Sequence, residues 1–512
     1  MNLPRWGVFF ILVTAFVFRW PLISGSLWLD EAAQALESAR PLSEQLSLTA
    51  DFQPPLTHLW LHFWMQISHA EWWMRTGVAL LPGLGSVYLT YLLGRTWFSK
   101  QVGLWAALLL ATSSLHVFYS QELRSYSLQT FWALLSWFIW WQWQNQNSIK
   151  QKMFLIGSYC LVSLAGLYTA YLYPFILITQ AGVSLWYSRN NWSGFLKTWL
   201  PIFIFIMLGV NFWIPSFLAQ LAAGQELRSS LPGWENIVSF SPVKSLTQVG
   251  IKFLFGVVDV ELNTWYIGWT LFISVILGYL SWGAIKSIFH FSAKKNQTQW
   301  LPLIWFGGTL ATAWIVSLWV PVIQPKRVLY LLPAFYLWVG YLISRSQSSR
   351  TRVFSLILAA SMLFINIWGC WSYWTQPVLQ RENWRDLIQV LIEQTGENRA
   401  VAVFAFDEPF APWRWYAPQS IDALSSGQLY IDSTYPITDA LKNVQNYRIV
   451  YVFDYLRDLT DPQHRINTTL AEWGWREKNQ IVFPQIGIVR VYLQPDQVLS
   501  LRIAKPPTSN VE

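Results

Sequence analysis

Two acidic residues stand side by side, Asp30 and Glu31 in SLWLDEAAQA, just after an apolar run long enough to cross a membrane. A carboxylate in that place can take the proton from a hydroxyl nucleophile. A further acidic position is Glu122 in YSQELRSYS, with Arg124 and Tyr126 close behind it. If that turn is extended, the period of two brings Glu122 and Arg124 near enough to pair. QPKRVLYLLP supplies Lys326 and Arg327, with Tyr330 one helical turn further on, and Arg75 opens another apolar run. Arginine suits phosphate because its planar fork donates two parallel hydrogen bonds. A base and fixed cations are the parts needed to move a group from a phosphate leaving group to a hydroxyl. Asp51, His58 and Tyr126 share these loops and are the candidates for touching the acceptor.

The elements that must position them follow from composition. The 512 residues are 54% hydrophobic and only 12% charged, about half the charged share of soluble proteins. The 35 Trp, 22 Tyr and 32 Phe suit membrane interfaces and sugar-facing surfaces alike, and are expected mainly in a lipid belt and in packing. Cys160 and Cys370 are the only cysteines, which excludes a disulfide framework and a thiolate metal cluster. The net charge of +8 sits largely in short loops between apolar segments, where it reads as an orientation signal and argues against nucleic acid as a partner.

Apolar runs fall near residues 6–24, 73–94, 102–118, 126–143, 153–170, 172–187, 198–215, 263–285, 300–320, 328–344 and 353–371. These predict about eleven membrane spans. No A-x-A-like site follows the first, which is therefore expected to be a retained anchor. Arg5, Arg95, Lys100, Lys150, Lys152, Arg189, Lys197, Lys286, Lys294, Lys295, Arg345, Arg350 and Arg352 occupy every second connection, and those connections hold no Asp or Glu. The positive-inside rule places them, and the N-terminus, in the cytoplasm. Asp30, Glu31, Glu37, Glu44, Asp51, Glu71, Glu122, Glu226, Glu235, Asp259 and Glu261 then face outward, as does everything after about residue 372.

The expected organisation is a transmembrane domain over 1–371 and an extracytoplasmic α/β domain over 372–512. In that tail RENWRDLIQVLIEQTG has helical spacing, AVAVFAF and YRIVYVFDY read as buried strands, and a helix near 461–473 precedes strands near 479–493. The first outer loop, 24–71, is far longer than an ordinary helix connection and is expected to act as a lid. Its LDEAAQALESA section is expected to lie as a helix on the membrane surface, and an aromatic helix restarts after Pro54 and Pro55.

A sugar carried on a polyprenyl phosphate has its lipid in the bilayer and its phosphate at the interface, where these carboxylates and cations gather. The order of an apolar span, LDEA, the QPPL helix, a span ending YLLGRTWF, SQELRSYS and PKRVLYLLP resembles the GT-C membrane glycosyltransferases. It is most similar to the bacterial dolichyl-phosphate-mannose-protein mannosyltransferase-like group, which includes aminoarabinose and galacturonic acid transferases acting on lipid A. The likeness covers about residues 1 to 345 and is strongest through about residue 130. It implies a polytopic α-helical membrane protein of GT-C architecture, in the inner or plasma membrane. The activity it implies is inverting transfer of a sugar from a polyprenyl-phosphate donor to an extracytoplasmic lipid, glycan or protein. It places the catalytic or acceptor-binding acid at Asp30 with Glu31 beside it, the second acid at Glu122, and the basic-aromatic-proline pattern at Arg327, Tyr330 and Pro333. Arg124, Lys326, Arg327, Tyr330 and Arg75 would hold the donor phosphate. Some relatives use a divalent metal, and no motif here names one.

Plainer readings stand beside these. An acidic helix start is favoured by the macrodipole alone. Glu122 and Arg124 would staple two spans, and Lys326, Arg327, Arg19 and Arg75 would snorkel to the interface. His58 and His62 have metal-ligand spacing without a surrounding motif, so interfacial packing is the default, as a core role is for His116. Asp259 and Glu261 are weaker candidates for lining the same cavity. NWS at Asn191, NQT at Asn296 and NTT at Asn467 match a glycan acceptor pattern that chance also produces. The rival functions are a transporter or flippase of envelope lipids or glycans, and a non-catalytic scaffold. Transporters favour ionisable groups at mid-membrane and internal two-fold repeats, and this sequence shows neither pattern.

Overall fold

The computed structural model describes residues 6–45, 52–231, 241–257, 264–290, 298–345, 349–416 and 419–494. Arg5, Asp51, Glu235, Asp259, Glu261, Lys294, Lys295 and Asn296 lie outside the described residues. The chain divides into two compact units. The first comprises Met1–Ser24, Arg40–Ala219 and Ser239–Leu379, and the second Gly25–Ala39, Gln220–Val238 and Gln380–Glu512.

In chain order the helices begin α1 (Gly7–Arg19), α2 (Leu29–Ala39), α3 (Leu42–Gln45), α4 (Leu56–Trp64), α5 (Glu71–Arg75) and, after a π-helical turn at Thr76–Leu80, α6 (Leu81–Trp97). They continue as α7 (Lys100–Thr112), α8 (Ser114–Tyr119), α9 (Tyr126–Gln144), α10 (Ile149–Leu167), α11 (Tyr173–Tyr187), α12 (Trp192–Asn211) and α13 (Ile214–Ser230). Then come α14 (Pro242–Phe255), α15 (Thr264–His290), α16 (Leu301–Ser317), a 3-10 turn at Leu329–Leu331 leading into α17 (Leu332–Ser344), and α18 (Ser349–Thr375). Each apolar run read from the sequence contains an α-helix over most of its described length. Among the described residues five stretches, Glu71–Trp97, Trp192–Asn211, Tyr266–Lys286, Thr298–Ser317 and Ser349–Thr375, are long and apolar enough to cross a membrane, and Gly7–Arg19 and Leu329–Ser344 are shorter apolar helices. α12 turns Leu196, Leu200, Phe203, Ile204 and Leu208 outward, an apolar surface of the kind that lipid covers.

α7 is the hub of the first unit, with α1, α6, α17 and α18 packed on it. Small residues permit this. A Cβ on Gly94 of α6 would fall 2.6 Å from the Cα of Gly103, and one on Gly340 of α17 would fall 3.0 Å from the Val102 carbonyl oxygen. α7 ends where Ser113 turns extended and its hydroxyl caps α8. In an apolar setting the last four carbonyls of a helix need donors. Asn366 Nδ2 donates to Leu109 O at 3.1 Å, Arg19 Nη2 to Leu110 O at 3.3 Å, Arg19 Nη1 to Ala111 O at 2.9 Å, and Cys370 Sγ to Thr112 O at 3.3 Å. The set is complete. Arg19 is 0% exposed, so it serves α7 from within and does not snorkel. Its Nη2 also lies 2.7 Å from His116 Nδ1. Because a guanidinium only donates, that nitrogen accepts and the imidazole is the Nε2–H tautomer.

The second unit holds α2 and an α/β fold. Its elements are α19 (Trp384–Thr395), β1 (Ala400–Phe404), α20 (Ala411–Tyr416), β2 (Ile421–Ser425), α21 (Ile437–Leu441), β3 (Ile449–Phe453), α22 (Arg457–Thr460), α23 (Arg465–Glu472), β4 (Arg476–Phe483) and β5 (Gly487–Leu493). The sheet order is β2-β1-β3-β5-β4. β1 pairs in parallel with β2 and β3, while β5 runs antiparallel to β3 and β4. β1 and β3 are buried along their whole length because both faces are covered. Ala402 and Phe404 face one apolar cluster, and Val401 and Val403 the other. Asn383 caps α19 and Gly396, at φ +53°, ends it. β2 was not read from the sequence, since Asp422 and Ser425 interrupt its apolar pattern at the sheet edge.

Candidate active site

Asp30 and Glu31 form the first turn of α2, where a helix favours negative charge. Successive residues point to different sides of a helix. Glu31 is accordingly 0% exposed and Asp30 half-buried. α2 packs on α20, with Ala32 and Ala35 wholly buried and Leu29 against the apolar cluster that contains Trp384 and Trp413.

Side chains far along the chain hold the approach to this turn. Leu27 N donates to Tyr416 Oη at 2.8 Å, and Leu29 N to Glu382 Oε2 at 3.3 Å. Glu382 also accepts Trp384 Nε1 and Tyr455 Oη, each at 2.7 Å. In return, Arg385 N in the first turn of α19 donates to Ser26 Oγ at 3.1 Å. Burial pushes the Glu382 carboxyl up to about 7; its three hydrogen bonds oppose this and the nearby Asp30 charge adds to it. Burial, and then the negative Glu382, push the Tyr455 phenol far above its usual range.

The remaining candidates belong to the first unit. Residues 120–125 are a succession of turns, with Arg124 N bonded to Glu122 O at 2.7 Å. The extended geometry that would bring their side chains together by a period of two is therefore not the one adopted. Glu122 is 2% exposed and Arg124 half-buried. Tyr126 starts α9 and carries the Lys326 ammonium 5.8 Å from its ring centroid, with Tyr119 edge-on to the same ring at 5.1 Å. The 3-10 turn of Tyr330 packs on α9 as well. Tyr330 is wholly buried, and its hydroxyl has no partner among the described residues. Arg327 Nη1 donates to Pro321 O at 3.4 Å.

Arg75 is 1% exposed and donates to Ile23 O at 2.8 Å, pinning the chain just after α1 rather than snorkelling. It ends α5, immediately before the π-helical turn. Pro82 has no N–H for the Val78 carbonyl and would crowd it, which favours the wider winding there. His58 lies 3.3 Å from Gln53 Nε2, and His62 packs edge-on to Phe63. Among the described residues no group of three or more His, Cys, Asp or Glu is placed to hold a metal ion. Asn191 of the NWS match is the N-cap of α12, accepting Gly194 N at 2.8 Å, and Asn467 lies within α23.

The structure sets the Lys326 ammonium over the Tyr126 ring and packs the turn of Tyr330 on α9, while sequence reasoning missed Ser26, Glu382, Tyr416 and Tyr455. RENW offered one weak signal, a glutamate just before a helix cap. The partner of that glutamate is 353 residues away.

No protein-family model matches the sequence, and no curated protein matches it. Solved structures do. ArnT from Cupriavidus metallidurans in the apo state aligns with TM-score 0.56 at 12% identity, over 95% of this chain and 96% of that one. The same protein bound to undecaprenyl phosphate aligns with TM-score 0.58 at 12% identity, over 95% and 97%. The archaeal oligosaccharyltransferase AglB from Archaeoglobus fulgidus, in complex with an inhibitory peptide and a dolichol-phosphate, aligns with TM-score 0.52 at 12% identity, over 97% and 75%. With the long apolar helices, the acidic first turn of α2 and the terminal α/β unit described above, the chain has the fold of the GT-C membrane glycosyltransferases.

Proposed function

We propose that the protein is a membrane glycosyltransferase that moves a sugar from a polyprenyl-phosphate carrier to an extracytoplasmic hydroxyl with inversion. The observation that carries this reading is full-length: 95% of the chain, α/β unit included, aligns with ArnT bound to undecaprenyl phosphate. AglB with its dolichol-phosphate adds support. In this reading about eleven helices span the inner or plasma membrane. The N-terminus is cytoplasmic and the C-terminal unit extracytoplasmic.

The acceptor oxygen attacks the anomeric carbon, its proton passes to the Asp30 carboxylate, and the carbon–oxygen bond to the carrier breaks with its electron pair leaving on the polyprenyl phosphate. Asp30 is taken as the base because it is the more accessible of the pair, half-buried where Glu31 is 0% exposed. Glu122 is the second acidic position. Arg124, Lys326 and Arg327 stabilise the departing phosphate, and Tyr330 offers it an uncommitted hydroxyl. Arg75 is kept as a donor-phosphate candidate that also fixes the chain just after α1, and Tyr126, His58 and Asp51 are the residues proposed to touch the acceptor.

The test is to incubate the purified chain with radiolabelled polyprenyl-phosphate sugars and envelope extract. Label is expected to become covalently attached to an acceptor, and Asp30→Asn to slow this by about 10²–10⁴-fold. Movement of labelled lipid across vesicles without bond formation would replace this reading with a flippase.

A further inference from the structure

The N-termini of two helices distant in sequence cap one another. Glu382 accepts the Leu29 N–H that opens α2, and Ser26 accepts the Arg385 N–H in the first turn of α19. Within one helix such reciprocity is a capping box. Here it joins the α2 turn that carries Asp30 to the α/β fold, and Tyr416 adds a third hold at Leu27 N. We propose that Glu382 is a positioning residue for Asp30, a carboxyl clasp that holds the first turn of α2 in the orientation in which Asp30 meets the acceptor. The proposal rests on Asp30 serving as the base.

The groups that face the Glu382 carboxyl are Asp30 from α2, Tyr455 from the loop after β3, and the Trp384 indole from α19. Tyr416 of α20 holds Leu27 nearby, while Arg381 and Arg385 flank Glu382 in sequence, Arg385 lying 3.6 Å from Asp386. With the clasp closed the carboxyl sits at about 7, against 4.5 for the ordinary group. The part of this rise that α2 brings, its share of the burial and the Asp30 charge less the Leu29 hydrogen bond, favours closure while the carboxyl is protonated. The grip is thus fullest below about pH 4.5 and weakens as pH rises, levelling off above about 7. Ionisation leaves two negative charges, on Glu382 and Asp30, beside each other.

Hydrogen exchange of residues 27–39 in the full chain, corrected for intrinsic rates, reads the clasp, and kcat and KM of sugar transfer across pH read its consequence. In the wild type, protection of the first turn of α2 should fall as pH rises towards about 7 while β1 and β3 stay protected. Glu382→Gln keeps an oxygen for Leu29 N but cannot ionise, so its protection and kcat should lose that pH dependence. Glu382→Ala should exchange at least about tenfold faster at every pH, and lower kcat about tenfold with donor KM unchanged. The proposal is overturned if Glu382→Gln shows the wild-type pH response, or if Glu382→Ala keeps wild-type protection and kcat. Should Glu382→Ala fail to fold, the comparison of wild type with Glu382→Gln decides. Asp30→Asn is run alongside. Wild-type transfer by Asp30→Asn sinks the base assignment itself, whereas an inactive Asp30→Asn beside an unaltered Glu382→Ala overturns only the clasp.

Discussion

The Tyr330 hydroxyl is buried and unpartnered among the described residues, so removing it takes no hydrogen bond from the fold. Tyr330→Phe is expected to leave Tm unchanged and to raise donor KM about fivefold, the loss of one hydrogen bond worth about 1 kcal/mol. An unchanged KM would remove Tyr330 from the phosphate site. Lys326 is different, because its ammonium lies over the Tyr126 ring. Lys326→Gln should weaken donor binding and also loosen the start of α9, seen as a lower Tm beside the raised KM. Asp30, Glu122 and Lys326 were legible as residue types at suitable places along the chain. Burial was not, and it is burial that separates Asp30 from Glu31.

Among the elements, α7 shows what a helix end requires in an apolar surrounding. Its last four carbonyls take donors from Arg19, Asn366 and Cys370. Arg19→Met keeps the apolar stem but leaves Leu110 and Ala111 without those donors. At about 1–3 kcal/mol for each orphaned group, the loss should be on the order of 3 kcal/mol, measured as a clear fall in thermal unfolding temperature. Cys370→Ser retains a donor and should be mild, whereas Cys370→Val should not. Gly103→Ala places a methyl against Tyr91 O, where a Cβ would lie at 2.5 Å, and should separate α6 from α7. The apolar period announced each of these helices. Their ends were less visible, because Ser113 and the π-helical turn before Pro82 interrupt runs that read as continuous.

At the scale of the molecule, two buried native cysteines give a quiet background for testing the proposed topology. Lys478 and Asn147 are both exposed. In intact cells a membrane-impermeant maleimide should label Lys478→Cys and spare Asn147→Cys until the membrane is opened. Labelling of both, or of Asn147→Cys alone, would reject the orientation drawn from loop charge. That orientation rests on basic residues in alternate connections, a property of the sequence that no packing contact alters.

The sequence alone determined the helices of the first unit, the strand and helix alternation of the tail, and the alternation of charge among the loops. Each is local, since helical period, strand period and loop charge are set within a few residues and their solvent. Tertiary structure alone decided that α2 folds with residues 380–512, that Glu382 grips its first turn, and that Arg19 and Cys370 complete α7. Those contacts join groups as much as 353 residues apart. Their strength comes from burial and from matching orphaned backbone groups across space, quantities that a linear pattern does not carry.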